Sequence, residues 1–376
     1  MSKDDVKAIF LIFIILLLIS GGAIFGIKMY KSIMEPNDLE QLYQGNVTVE
    51  PNKNENKEPL IVNQGNGVLN QIASAGNQSQ TTQPNALTGK KEYYYKQLDS
   101  YAKVIYDKLK DNKENLKTGT YKIDFGKEFN QLLSQENGAE LLQDYYQSAM
   151  ETYLYDNPDV FYLDPTKMYI NIQTTKKIFT TTYEVFIDAG SNANYLSEGY
   201  NSKQQIIEYE NQINQEVEKI LEKTTGKSNY DKIQIIHDYL VDNVSYDQSL
   251  SKENIYNMYG TLVNKESVCE GYAKAFKYLM NQIGIESIVV IGKATDSNGE
   301  TQSHAWNYVN FDNTWYAVDA TWDDPVLIGG GKLTKKNRYK YFLKGSNTMS
   351  EDHVVSYAFV DDGKLYEHPT LSEKDY

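Results

Sequence analysis

The sequence predicts an α+β protein, and three features of its 376 residues carry that prediction. A helical stripe opens on Cys269, the single cysteine of the chain, and runs to Ile283. After it come apolar, β-branched or aromatic segments (Ser287 to Lys293, His304 to Phe311, Thr314 to Thr321) separated by turn residues. Ahead of it, residues 91–226 mix the helical and the strand period.

The first elements lie apart from this globular portion. A short tail, residues 1–7, precedes Ala8 to Ile27, twenty residues without a charge. As a helix rising about 1.5 Å per residue, this segment spans roughly 30 Å, the thickness of one hydrocarbon core. It reads as a single transmembrane signal-anchor. A cleaved signal peptide competes, because Ser20-Gly21-Gly22-Ala23 supplies small residues at a cleavage point. Lys3 and Lys7 before the segment balance Lys28 and Lys31 after it, so basic residues do not set its orientation. Residues 28–90 read as a flexible polar linker, rich in Asn, Gln, Ser, Thr and Gly from Asn63 to Asn85. Such composition buries too little apolar surface to offset the entropy of ordering, and a tether of this kind reaches about 40 Å. It suits a globular domain held off the outer face of a cell membrane.

Composition narrows the partners. A net charge of −14 and a pI near 4.9 give nucleic-acid binding no electrostatic support. One cysteine excludes a disulfide within the chain. An acidic surface disfavours acidic polymers and accepts neutral or basic peptides.

Residues 91–226 read as an accessory α+β region. Leu98, Tyr101, Ala102, Ile105 and Leu109 share one stripe of a helix from Tyr94 to Lys110. Phe129 to Leu154 predicts a second helix, ended by Asp156-Asn157-Pro158. Met168 to Gln173 and Ile178 to Ile187 predict two strands joined by Thr174-Thr175-Lys176-Lys177, and Lys203 to Lys223 a charged helix. The many tyrosines here read as packing residues.

Residues 227–376 carry the chemistry. Tyr230 to Val244 is amphipathic, with Ile233, Ile236, Tyr239 and Leu240 inward and His237 half-buried beside them. Ser267 and Glu270 form an S-x-x-E pattern, which predicts a capping box that sets Cys269 in the first helical turn. Tyr272, Phe276, Leu279, Met280 and Ile283 then face the core, and Gly284 ends the helix. Free N–H groups at a helix start favour a thiolate, so the thiol is expected below its free pKa of about 8.5. Asp312-Asn313 reads as a two-residue hairpin loop. In that register His304 lies opposite Thr321 and Trp306 opposite Asp319, making His304 and Asp319 diagonal neighbours on one face, about 7–8 Å apart along the backbone. A three-residue loop would separate them onto opposite faces.

Cysteine, histidine and aspartate in this order are the parts of a thiol-dependent acyl-transfer site. Cys269 would attack a carbonyl carbon, His304 would keep the sulfur ionised and protonate the leaving group, and Asp319 would hold the imidazole. The Cys269 backbone N–H is one oxyanion donor, and Tyr259, whose loop leads into the helix, is the candidate for a second. No cofactor is implied. A metal on Cys269, His304 and Asp319 is disfavoured, since zinc prefers more thiolate or imidazole ligands and the chain has four histidines. Asp296 to Glu300 reads as a turn rather than a calcium loop, Asp323-Asp324-Pro325 as a strand-ending turn, and His353 and His368 as surface or structural residues.

The motif Val268-Cys269-Glu270-Gly271-Tyr272-Ala273, then Gly284-Ile285, His304-Ala305-Trp306 and Trp315 to Thr321, resembles the transglutaminase-like superfamily, most closely its bacterial membrane-anchored members. The resemblance covers Asn229 to Pro325. It implies a papain-like core, a cysteine-bearing helix packed on an antiparallel sheet, with Cys269 as nucleophile, His304 as base and Asp319 as orienting acid. Animal-type cross-linkers carry a tryptophan ahead of the cysteine as an oxyanion donor, whereas Trp306, Trp315 and Trp322 all follow Cys269. Hydrolysis of amide bonds is therefore expected at least as much as glutamine–lysine cross-linking. The substrate class is a peptide or protein, with wall peptide a candidate from location. A catalytically silent cell-surface binding or scaffold module on the same fold is the alternative.

Overall fold

The computed structural model describes residues 92–297, 299–324, 338–360 and 363–376, with 61–63 as backbone. The expected anchor and all but three residues of the expected linker lie outside the described residues. Among the described residues no helix is long and apolar enough to cross a membrane.

Two antiparallel sheets and five main helices build one α+β molecule. In the first sheet β1 (Ile61–Asn63), β2 (Ile123–Gly126), β3 (Tyr169–Lys177) and β4 (Thr180–Asp188) lie in the order β1-β3-β4-β2. Helices α1 (Ser100–Asp111) and α2 (Gly138–Asp156) pack on each other. Helix α1 buries Ala102, Ile105 and Leu109, as the 3.6-residue spacing predicts, but it starts at Ser100 rather than Tyr94: Tyr95–Gln97 form a separate turn, and Leu98 is buried ahead of the helix. The predicted second helix is broken: a short turn, Asn130–Leu133, precedes α2, and the chain bends between them. A Cβ on Gly138 would stand 2.2 Å from the Leu132 carbonyl oxygen, so the bend brings two backbones together where only glycine fits. The predicted turn Thr174 to Lys177 is instead strand, and Ile178-Phe179 form the hairpin tip, 87% and 94% exposed. β-branched threonines favour the pleated strand, and register sets the turn where apolar periodicity alone would not.

Helix α3 (Lys203–Thr224) leads to α4 (Asn229–Asn243), each opened by a serine cap, Ser202 on Gln205 N–H and Ser228 on Asp231 N–H. A two-stranded parallel pair, β5 (Ser245–Tyr246) with β6 (Glu266–Ser267), precedes α5 (Cys269–Gln282). Helix α5 packs on the second sheet, ordered β10-β7-β8-β9, of β7 (Ser287–Thr295), β8 (Thr301–Phe311), β9 (Thr314–Val318) and β10 (His353–Val355). Gly284, at φ +74°, ends α5, and Ile285 N–H closes onto the Met280 carbonyl.

One hydrophobic core runs from Tyr94 to Tyr366 and joins both sheets. The Tyr94 hydroxyl donates to the Val289 carbonyl of β7 at 2.7 Å, and Tyr155 stacks on Phe359 at 4.3 Å. The buried Lys277 of α5 donates to the Ser287 carbonyl. Tyr94, Tyr106, Tyr153 and Tyr162 are each about fully buried in this core, as the packing reading expects.

Candidate active site

The position of Cys269 is set from behind. Val268, not Ser267, is the residue preceding the helix, and the expected capping box does not form. Ser267 is fully buried: its hydroxyl donates to the Ile255 carbonyl at 3.1 Å and shares a 2.7 Å bond with Thr261. Glu270 turns instead to Lys274, 2.6 Å away. Burial won over local capping because the β5–β6 pairing draws Ser267 inward. A Cβ on Gly271 would lie 2.2 Å from Ser267 Oγ and 2.5 Å from the Ile255 carbonyl oxygen. Glycine two residues after the cysteine is what lets the helix start dock there. Tyr272 N–H makes the first bond of the helix, to Val268, so the N–H groups of Cys269, Glu270 and Gly271 precede the intrahelical ladder. The thiol is half-buried.

The hairpin places the next two groups. Phe311 pairs with Thr314 around Asp312 (φ +50°) and Asn313 (φ +64°), a two-residue loop of the left-handed kind. The expected register holds from Phe311–Thr314 to Asn307–Val318, where β9 ends, so the predicted pairings of Trp306 with Asp319 and His304 with Thr321 do not form and Asp319 lies just beyond the ladder. His304 Nε2 and Asp319 Oδ2 are 2.7 Å apart, in a site where both residues are buried. Thr321 and Trp322 N–H donate to Asp319 Oδ1 at 3.0 and 3.2 Å, fixing the carboxylate. With Nε2 engaged by Asp319, Nδ1 is the imidazole nitrogen left to serve the Cys269 thiol, whose proximity favours the charged ring. Burial opposes charge on His304, but the Asp319 carboxylate, helped by the thiol, pushes its pKa up to about 10. Burial would likewise raise Asp319, yet the His304 and His353 imidazoles hold it well below the usual carboxylate range. Trp322 covers His304 with ring centroids 5.2 Å apart.

Tyr259 does not belong to this group. Its hydroxyl donates to Gln212 Oε1 at 3.0 Å and its ring stacks on Tyr209 at 4.1 Å, because α3 offers an aromatic partner on the side away from the cysteine. Tyr246, by contrast, is near enough to the cysteine to feel its charge. On β5 it pairs with Ser267, two residues before Cys269. Burial and then the Cys269 and Tyr256 charges hold its hydroxyl well above the ordinary phenol range, so it remains a proton donor. Nothing in the spacing of Tyr246 marks it, since a parallel pairing across twenty residues brings it there.

Four further sequence readings change or sharpen. His237 is fully buried rather than half-buried, with Nε2 3.0 Å from Asp323 Oδ2 and Nδ1 3.2 Å from Asp238 Oδ1. Asp323 and Asp324 are more than a turn: Asp323 accepts from Tyr341 N–H at 3.0 Å and Asp324 from the Tyr272 hydroxyl, tying the segment after Asp319 to α4 and α5. His368 is largely buried among Tyr94, Tyr308 and Tyr357, and burial pushes its pKa down to about 4. His353, expected as a surface or structural residue, is buried and joins Asp319. Asp323 lies 86 residues from His237 and Asp319 lies 34 from His353, beyond any local pattern. Asp296 to Glu300 forms a hairpin turn, with Glu300 N–H donating to Asp296 Oδ1.

Among the described residues, His304, Asp319 and His353 bring three ligand-type atoms within 4.8 Å of one another. A metal there would have to break the 2.7 Å His304–Asp319 bond.

Residues 216–320 match the family model of the transglutaminase-like superfamily, and that stretch holds Cys269, His304 and Asp319 together. This region belongs to the transglutaminase-like superfamily. The transglutaminase-like match ends one residue beyond Asp319, so Asp323, Asp324 and His353 lie outside it. No curated protein sequence matches the chain. Among solved structures it is similar to a crystal structure of a TGase, at 18% identity and TM-score 0.28 over 45% of this chain and 47% of that one. It is also similar to a putative cysteine protease from Cytophaga hutchinsonii, at 17% identity and TM-score 0.26 over 44% and 61%. A third is the periplasmic domain of TgpA from Pseudomonas aeruginosa bound to ethylmercury, at 11% identity and TM-score 0.22 over 41% and 72%. The chain spans 47% and 61% of the first two of these structures, and at these TM-scores the likenesses carry no argument about its reaction.

Proposed function

We propose that the chain is a thiol enzyme that cleaves or transfers amide bonds of peptides or proteins through Cys269, His304 and Asp319. One observation carries this reading: His304 bonds Asp319 through Nε2 at 2.7 Å, and the thiol of the chain's single cysteine, at a helix start, is near enough to favour charge on that ring. A thiolate at Cys269 attacks the amide carbon, and the oxyanion is met by the Cys269 N–H and the Tyr246 hydroxyl. The C–N bond breaks as His304 gives its proton to the leaving amine, which leaves a thioester on Sγ. Water or a second amine then attacks the thioester, losing a proton to His304, and the thiol is regenerated. The absence of a tryptophan ahead of Cys269 favours water.

The reading extends to location: the apolar segment from Ala8 to Ile27 anchors the chain in the cell membrane, with the globular part outside and facing wall peptide or surface protein. Carbonate extraction and protease shaving of intact cells test this part.

The chemistry is tested with the full chain, its Cys269→Ala and its His304→Ala variants, on a panel of peptide amides with and without a primary amine. Turnover lost in both variants supports the enzyme. Carboxylate product marks hydrolysis, and incorporated amine marks transfer. A wild-type protein that turns over no amide, and whose partner binding survives Cys269→Ala, would establish the scaffold reading instead.

A further inference from the structure

The Asp319 carboxylate is shared by two imidazoles. Oδ2 accepts from His304 Nε2 at 2.7 Å and lies 3.2 Å from His353 Nε2. His353 has a second carboxylate on its other nitrogen: Nδ1 is 2.6 Å from Asp352 Oδ1. A ring with a carboxylate at each nitrogen satisfies both by donating from both, which requires the doubly protonated, cationic form. Burial and the neighbouring His304 charge oppose that form, while Asp319 and Asp352 favour it.

The strands explain the arrangement. Gly292 of β7 pairs with His304 on one side and Val355 on the other, and Ala294 pairs with His353. Directly opposed residues share a face, so His304 and His353 stand on the same face with Gly292 between them. A Cβ at 292 would lie 2.1 Å from the Val354 carbonyl oxygen and 2.8 Å from the Trp306 ring. Glycine therefore lets β10 and Trp306 close in, and the two rings come within 5.6 Å of each other. Trp306, Trp322 and Tyr341 enclose His353 at 5.0, 4.8 and 5.1 Å. The charged or titratable groups facing it are Asp319, Asp352 and His304, and behind Asp352 stand the Tyr341 hydroxyl at 2.6 Å and Lys340 Nζ at 3.4 Å.

We propose that His353 is a positioning residue of the active site, a buried imidazolium that pins the Asp319 carboxylate and limits how tightly Asp319 binds the proton of His304. The inference rests on the reading of His304 as the proton carrier. A lone buried carboxylate beside His304 would hold that proton too firmly, and a general acid works best when its proton affinity lies near the working pH. His353 divides the carboxylate between two cations and adds a repulsive positive charge beside the first. The residue lies 33 positions beyond the last residue of the superfamily match.

The test uses the full chain labelled at its four histidines. His353→Gln keeps an amide N–H near the Nε2 position without the charge, and His353→Ala removes both. In His353→Gln the His304 imidazole is expected to titrate higher by about one pH unit, a tenfold gain in proton affinity. The alkaline limb of kcat should move the same way with KM unchanged. His353→Ala should in addition lower the plateau of kcat about tenfold or more, as a loosened carboxylate misaligns the imidazole. In the wild type, nitrogen shifts should show His353 doubly protonated at pH 7. A neutral His353 at pH 7, or a His304 titration in His353→Gln that overlays the wild type, would overturn the proposal. The titrations need no turnover, so an inactive wild type would count against the proposed function while the His353 result still stood.

Discussion

At the scale of single residues, the site is a chain of charges that only burial makes strong. His304 keeps its proton up to about pH 10 because Asp319 faces it where solvent cannot screen the pair. The thiolate–imidazolium pair is lost when that proton leaves, so kcat is expected to fall on the alkaline side with a midpoint near 10. A pH–rate profile checks this, and a midpoint near the ordinary imidazole value would show that Asp319 is not coupled to His304 in solution. Tyr246 carries the second residue-scale prediction. Tyr246→Phe should lower kcat by about a hundredfold with little change in KM, the effect of losing one oxyanion donor. An unchanged kcat in stopped assays would remove Tyr246 from the site. The triad candidates themselves were legible in the sequence, because residue type and the two-residue loop at Asp312-Asn313 constrain them. Tyr259 was misread because proximity along the chain says nothing about which way a ring turns, and Tyr209 on α3 claimed it.

At the scale of elements, α5 is held by what packs behind its first turn. Ser267, Thr261 and the Ile255 carbonyl fill the space beside Gly271, leaving no room for a methyl group. Gly271→Ala is expected to destabilise the protein by about 1–3 kcal/mol, the cost of overpacking a closed site. It should also lower the alkylation rate of Cys269 by shifting the helix start. Thermal unfolding and iodoacetamide labelling read the two effects, and a variant as stable as the wild type would mean that the helix start yields at no cost. The helix, its apolar face and its Gly284 stop were readable from periodicity. The capping box was not, because S-x-x-E is a local pattern and the serine was drawn into a tertiary pairing instead. The same conflict displaced the hairpin tip to Ile178-Phe179 and split the helix at Gly138.

At the scale of the whole molecule, one core couples the N-terminal sheet to the sheet that carries the site. Buried charge then makes stability depend on pH in both directions. The carboxyls of Asp319, Asp238 and Asp352 are held below their ordinary value, by the imidazoles beside them once the opposing effect of burial is overcome. Their contribution is complete above about pH 4 and is lost as pH falls further. His304 and His353 are raised, so theirs is complete below about pH 6.5 and is lost as pH rises, for His304 through about 10. The melting temperature is therefore expected to peak between about pH 4 and 6.5 and to decline on either side. Calorimetry across pH 3 to 10 measures it, and a flat profile from 6.5 to 10 would contradict the buried imidazolium pair.

By itself the sequence determined the Cys269 helix, the two-residue hairpin loop that sets β8 against β9, and the net negative charge of the chain. These rest on interactions a few residues apart, or on composition, and both are written locally. Only the tertiary structure decided that Tyr246 and not Tyr259 faces the cysteine, that His237 clamps Asp323, and that His353 shares Asp319. Those contacts cross tens of residues and exist because packing two sheets and five helices around one core buries these polar groups beside one another, where pairing offsets the cost of leaving water.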